Sequence, residues 1–114
     1  MQQKAQSPVE SFEARGDAVD RYQYDESLLA LADGVYVGYL TYSTVTYDSV
    51  ENPQVRVQMV EVLDGYRRRG VATALYEEMK AKMRAGWPDW DGTVSKSLQT
   101  DDGAAFFSAL STRH

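Results

Sequence analysis

The chain has no cysteine among its 114 residues, three prolines, and one histidine, His114. Without cysteine there can be no disulfide framework, no thiolate nucleophile and no thiolate-bound zinc. A lone histidine argues against imidazole metal sites and serine–histidine triads, so no metal is expected. No apolar run approaches the ~20 residues of a membrane-spanning helix, and no signal-peptide pattern opens the sequence. The expectation is a soluble cytoplasmic protein with no membrane partner. Positive charge is also scarce: 12 Lys and Arg face 17 Asp and Glu, a net charge of −5. A non-specific nucleic-acid binder needs a positive footprint to displace counterions from phosphates, so no nucleic acid is expected.

What is present is an ordinary globular balance, 43% apolar and 25% charged, with no repeat and no linker. Residues 1–114 are expected to form one domain, with residues 1–10 loose. The charge is uneven. Residues 1–60 carry nine acids against four bases, whereas residues 61–114 balance eight against eight. The acidic half suits either a cationic partner or a plain solvated surface.

Asp33-Gly34 between LLALAD and VYVGYLTYSTVTY is a strong hairpin signal, because the tight turn needs positive φ at its central residues. It predicts strands at 28–33 and 35–47. Tyr36, Tyr39, Tyr42 and Tyr47 on the second of these make either a binding surface or cross-strand packing. VRVQMVEVL predicts a strand at 55–63, with Val55, Val57, Met59 and Glu61 on one face and Arg56, Gln58, Val60 and Val62 on the other. A helix follows at 71–85, its apolar face made of Ala72, Leu75, Tyr76, Met79 and Met83, with Glu78 and Lys82 paired at i, i+4. A strand at 93–99 and a helix at 101–110 complete a mixed α/β or α+β domain with a mostly antiparallel central sheet.

Between strand 55–63 and the helix lies YRRRGVA. The first turn of a helix has backbone N–H groups without intrahelical partners, and the helix dipole adds positive charge there. Gly70 and Ala72 leave room for a diphosphate to approach the backbone, and arginines can bind its oxygens. The alternative is a solvated basic loop.

These residues carry a resemblance. VEVLDGYRRRGVATALYEEM is similar to the acetyl-coenzyme A signature of the GCN5-related N-acetyltransferase (GNAT) superfamily, Arg/Gln-x-x-Gly-x-Gly/Ala. Arg67, Gly70 and Ala72 stand at its defined positions, and LLALADGVYVGYLTYS resembles the two preceding strands of that family, with Gly38 inside the second. The match covers about 28–86 well and 87–110 loosely. It implies acetyl-CoA as co-substrate, an amine acceptor and transfer of an acetyl group to that amine. Coenzyme contacts are expected from Val60, Val62 and Leu63 on the strand edge and from Arg67, Arg68, Arg69, Gly70, Val71, Ala72 and Thr73 at the turn. Arg68 and Arg69 would reach the anion, and the N–H of Val62 or Leu63 would face the thioester oxygen.

Only about one lysine-like amine in 2,500 is neutral at pH 7, so the reaction benefits from a base. Glu61 is the candidate, with Gln58 as a possible water holder; the bland reading of Glu61 is an exposed or salt-bridged carboxylate. Family members often carry a last-helix tyrosine beside the coenzyme sulfur. Here AAFFSAL offers Phe107 and Ser108, leaving Ser108 or water to protonate the thiolate. Little before residue 28 resembles the family's usual pair of N-terminal helices. That opens the acceptor side to a cationic peptide, protein or polyamine, or to a homodimer that completes the site. It also suits a catalytically idle member that binds CoA or a macromolecular partner.

Overall fold

The computed structural model describes residues 8–96. Its strands are β1 (Ser11–Ala18), β2 (Gln23–Ala32), β3 (Val35–Val45), β4 (Gln54–Val62) and β5 (Val94–Lys96), with a turn of 3₁₀ helix at Asp64–Tyr66 and one long helix, α1 (Val71–Gly86). They form one sheet in the order β1-β2-β3-β4-β5. The first three pairings are antiparallel, and β4 pairs with β5 in parallel over Val55–Val57. The helix crossing from β4 to β5 is what a parallel pair requires.

The Asp33-Gly34 turn forms as expected, both residues having positive φ (53° and 76°). The strand before it is longer than its apolar letters suggest, beginning at Gln23 rather than Leu28. β1 has no counterpart in the sequence reading. SFEARGDA shows no apolar alternation, and only Phe12 packs against the core. β1 runs into β2 through just Val19, Asp20, Arg21 and Tyr22, where the Asp20 carboxylate accepts from the N–H of Tyr22 (2.7 Å) and Gln23 (3.0 Å). No helix therefore stands between the first two strands.

α1 covers one face of β2, β3 and β4. Its Val71, Ala72, Leu75, Met79 and Met83 are buried against Leu28, Ala30, Leu40, Val57, Val60 and Val62. Gly38 allows the close approach: a Cβ there would lie 2.9 Å from Val71 Cγ1 and 3.0 Å from the Glu61 carbonyl oxygen. Tyr76 is only half-buried, with Lys80 5.1 Å from its ring centre. Lys82 does not pair with Glu78 but reaches across to Glu26 on β2 (3.8 Å), while Lys80 pairs with Glu77 (3.4 Å). Tertiary geometry thus overrides the local i, i+4 spacing. No described element covers the opposite, open face of the sheet. The helix expected at 101–110, and Phe107 and Ser108 with it, lie outside the described residues, as does the end of the strand expected at 93–99.

Candidate active site

β4 does not keep a single alternation. Thr41 pairs with Met59, but the next residue, Tyr42, pairs with Val57. Gln58 is the extra residue of a β-bulge, which lets two successive residues share one side of the sheet. Val55 and Val57 point under α1, and beyond the bulge Val60 and Val62 do so too, leaving Met59 and Glu61 exposed. The expected grouping of Glu61 with Val55 and Val57 is therefore wrong. The bulge shifts the phase and delivers Glu61 to the open face.

There it borders a groove of about 410 Å³ lined by Leu29, Tyr36, Val37, Tyr39 and the β4 end from Glu61 to Asp64. The Tyr39 hydroxyl lies 3.2 Å from Glu61 Oε1 and 3.1 Å from Met59 Sδ. Partial burial, and secondarily the Glu61 charge, raise the Tyr39 pKa above its ordinary value. Tyr39 thus keeps its proton at neutral pH and presents it to the carboxylate. Gln58 is engaged elsewhere. Its amide donates to Ser43 Oγ (2.6 Å), which donates to Asp25 Oδ1 (2.6 Å). This polar chain runs along the open face away from Glu61.

The tyrosines divide. Tyr36 and Tyr39 line the groove, and Tyr47 is exposed at the far end of the sheet, stacked on Tyr22 at 4.8 Å. Tyr42 is buried on the α1 side, donating to Glu26 (2.5 Å). The packing reading holds for Tyr42, whereas Tyr36 and Tyr39 face the groove.

The strand end separates the two N–H groups expected to face the thioester. Leu63 N–H donates to Val37 O (2.9 Å), so it is spent on β3. Neighbouring backbone groups of a strand point to opposite edges, and Val62 and Val60 N–H consequently point to the β5 side. The described β4–β5 pairing stops at Val57. Val62 is therefore the better placed of the two.

After the 3₁₀ turn the three arginines do different things. Arg67 folds back: its Nε donates to Val62 O (3.3 Å) and pairs with Asp64 (3.4 Å), joining the loop to the end of β4. Arg69 lies over the Tyr66 ring at 5.0 Å and donates to Gly65 O (3.4 Å). Arg68 is exposed, in the left-handed conformation (φ 64°), and has no side-chain partner among the described residues. Gly70 is the N-cap of α1, also left-handed (φ 84°), with no side-chain cap hydrogen bond. Val71 and Ala72 turn into the core, and Thr73 is half-buried. The first turn thus opens with neither a capping side chain nor an acidic residue, beside three guanidinium groups. Such a helix mouth suits an anion. Among the described residues no group of three metal-ligating side chains occurs, and no helix is long and apolar enough to cross a membrane.

The model of the acetyltransferase (GNAT) family matches residues 2–91. The chain belongs to that family. Its members are N-acetyltransferases that use acetyl-CoA. Among solved structures, a ribosomal-protein-alanine N-acetyltransferase from Brucella melitensis biovar Abortus 2308 superposes with a TM-score of 0.62 at 22% identity, covering 80% of this GNAT chain and 62% of that one. The GNAT chain thus spans less than two thirds of the Brucella protein. An aminoglycoside acetyltransferase from an uncultured soil metagenomic sample gives a TM-score of 0.61 at 17% identity, covering 92% and 91% of the two chains. The aminoglycoside N-acetyltransferase AAC(6')-Iy, solved with CoA, gives 0.59 at 14% identity, covering 90% and 86%. A search of curated proteins returns no match. At these identities the structures establish the fold.

Sequence reasoning missed Tyr39 as the partner of Glu61 and missed the bulge. The second had a signal: the valines of VRVQMVEV change phase, odd-numbered at 55 and 57 and even-numbered at 60 and 62.

Proposed function

We propose that this GNAT protein transfers an acetyl group from acetyl-CoA to a primary amine that enters the open-face groove. The observation that carries the reading is the convergence, within a few residues of the end of β4, of an exposed carboxylate, an outward strand edge and an uncapped helix mouth beside Arg67–Arg69. Arg68, Arg69 and the first turn of α1 would hold the pyrophosphate. Arg67 would act from behind, fixing the loop to Val62. The edge at Val60 and Val62 would take the pantetheine arm as an extra strand takes its neighbour.

Glu61 Oε1 would accept the proton of the incoming ammonium, directly or through a water, with Tyr39 fixing the carboxylate. The neutral nitrogen then attacks the thioester carbonyl carbon, and the N–H of Val62 donates to the oxygen as it becomes negative. A C–N bond forms, the C–S bond breaks, and the thiolate leaves with the electron pair. The attacking nitrogen now carries one proton too many, and water, or Ser108 outside the described residues, would relay it to the sulfur, leaving a neutral amide and a thiol. The acceptor is a cationic amine, such as a polyamine or a basic peptide, because Glu61 and Asp64 line the groove and Glu13 lies at its rim on Tyr36.

Acetyl-CoA at 100 times its Kd adds about 2.7 kcal/mol to the folded state. At roughly 4–8 °C per kcal/mol for a domain near this size, a melting shift of several degrees is expected. Arg68→Ala combined with Arg69→Ala should shrink the shift, whereas Arg21→Ala, at the far end of the sheet, should leave it unchanged. Absence of any shift at millimolar acetyl-CoA would return the arginines to being a solvated loop.

A further inference from the structure

The outer edge of β1, with which no other described strand pairs, carries a self-complementary pattern of charge. Val19 N–H donates inward to Gln23 O (2.9 Å), and backbone groups alternate along a strand, so Asp17, Arg15 and Glu13 also bond toward β2. The N–H and C=O groups of Phe12, Ala14, Gly16 and Ala18 then point outward, and no described strand lies beyond β1. Exposed edges are usually blunted by lysine, proline or short length. β1 is eight residues long and has neither lysine nor proline. Its open face instead carries charges of alternating sign, Glu13, Arg15 and Asp17.

We propose that a second copy of this chain pairs with the β1 edge, antiparallel and centred on Ala14, joining the two sheets across a two-fold axis. The charges select this register. Centring on Glu13 sets glutamate against glutamate. Centring on Arg15 sets arginine against arginine and Glu13 against Asp17. Centring on Gly16 pairs Arg15 with Asp17 but engages only residues 14–18. Centring on Ala14 engages residues 11–17 and sets Glu13 opposite the second copy's Arg15 twice. Opposite charges directly across a strand pair stabilise it, and like charges destabilise it. Within one chain the same side chains already touch: Arg15 Nη2 lies 3.6 Å from Glu13 Oε1, and Tyr36 donates to that oxygen at 2.7 Å. Both charged groups are therefore oriented on the open face, next to Tyr36 of the groove. The second copy's β1 would extend that face on the side where β1 passes directly into β2 without a helix. The pairing does not depend on the acetyl-transfer reading.

Sedimentation of the full chain over a concentration series tests it, with melting curves to check that each variant folds. The expected result is a reversible dimer. Glu13→Arg alone, or Arg15→Glu alone, should raise its dissociation constant by about tenfold or more, since each turns two attractive pairs into two repulsive ones. The double variant Glu13→Arg/Arg15→Glu should restore it. The chain has no cysteine, so single cysteines report the register. Ala14→Cys would face its own copy at a Cα separation of about 5.5 Å, within disulfide reach, and should cross-link under mild oxidation. Ala18→Cys would lie ~26 Å from its copy and should not. A chain that stays monomeric at hundreds of micromolar overturns the proposal. So does a dimer indifferent to the charge exchange, or one in which Ala18→Cys cross-links as readily as Ala14→Cys.

Discussion

The two faces of the sheet are built from alternate residues of the same strands, yet they have opposite chemistry. Under α1, Leu28, Leu40, Val57 and Val60 meet Leu75, Met79 and Met83, and none of the seven is more than 5% exposed. On the open face, Ser27 and Thr41 share a hydrogen bond (3.2 Å), Asp25, Ser43 and Gln58 form a chain, and Tyr39 holds Glu61. A strict two-residue period would carry the inward phase of Val55 and Val57 on to Met59 and Glu61. The carboxylate would then sit under the helix, at a large desolvation cost. One extra residue at Gln58 reverses this and keeps valines inside on both sides of the bulge. The difference between the faces is therefore made at a single position, and that position creates the candidate site.

The largest expected effect is on the open face. Glu61→Gln should lower kcat/KM at neutral pH by ~10²–10⁴ if the carboxylate is the base. Because the side chain is exposed, stability should change by no more than about 0.5 kcal/mol. Steady-state rates beside melting curves check both halves. Activity within threefold of the parent removes Glu61 from the mechanism.

The covered face should answer in the opposite way. Leu75 is 0% exposed and touches the point where α1 crosses Gly38. Leu75→Ala should cost about 2–5 kcal/mol, since the cavity left cannot fully close. Thr41→Ala on the open face should cost about 1 kcal/mol, for one hydrogen bond. Denaturant titration of both variants measures the contrast; equal losses would mean that the open face is packed like the covered one.

What could be read in the sequence follows the same division. Turn chemistry and apolar spacing are local, so Asp33-Gly34, the strand after it and α1 were legible. The Arg67, Gly70 and Ala72 pattern was legible because the helix mouth is built from consecutive residues. β1 was not, because its strand conformation is imposed by β2: seven of its eight residues are exposed, which leaves no apolar period to see. Strand pairing also decides which residue Glu61 meets. Tyr39 lies 22 positions away, and only the β3–β4 register brings it opposite. Lys82 chose Glu26 over Glu78 for a similar reason, since the sheet beneath the helix offers a carboxylate that is itself mostly sheltered.

That Glu26 is a charged exception to the covered face's apolar character, and it leads to an effect that depends on pH. Tyr42 donates to Glu26, which also pairs with Lys82. Burial first, and the Glu26 hydrogen bond and charge next, raise the Tyr42 pKa far above its ordinary value of 10.0. In the unfolded chain the phenol ionises near pH 10, whereas in the folded chain it does not. Above pH 10 the unfolded state therefore binds fewer protons than the folded one, and stability must fall as pH rises. Below pH 10 both states hold the proton, and the contribution is complete. Tyr42→Phe should cost about 1.5–3 kcal/mol at neutral pH, the range for a hydrogen bond to a charged group. Its stability should then fall less steeply than the parent's above pH 10. Some slope should persist, because Tyr36, Tyr39 and Tyr76 are shifted in the same direction. Denaturant midpoints from pH 8 to 11 measure this, and identical alkaline slopes in parent and variant would show that Tyr42 is not held neutral by its surroundings.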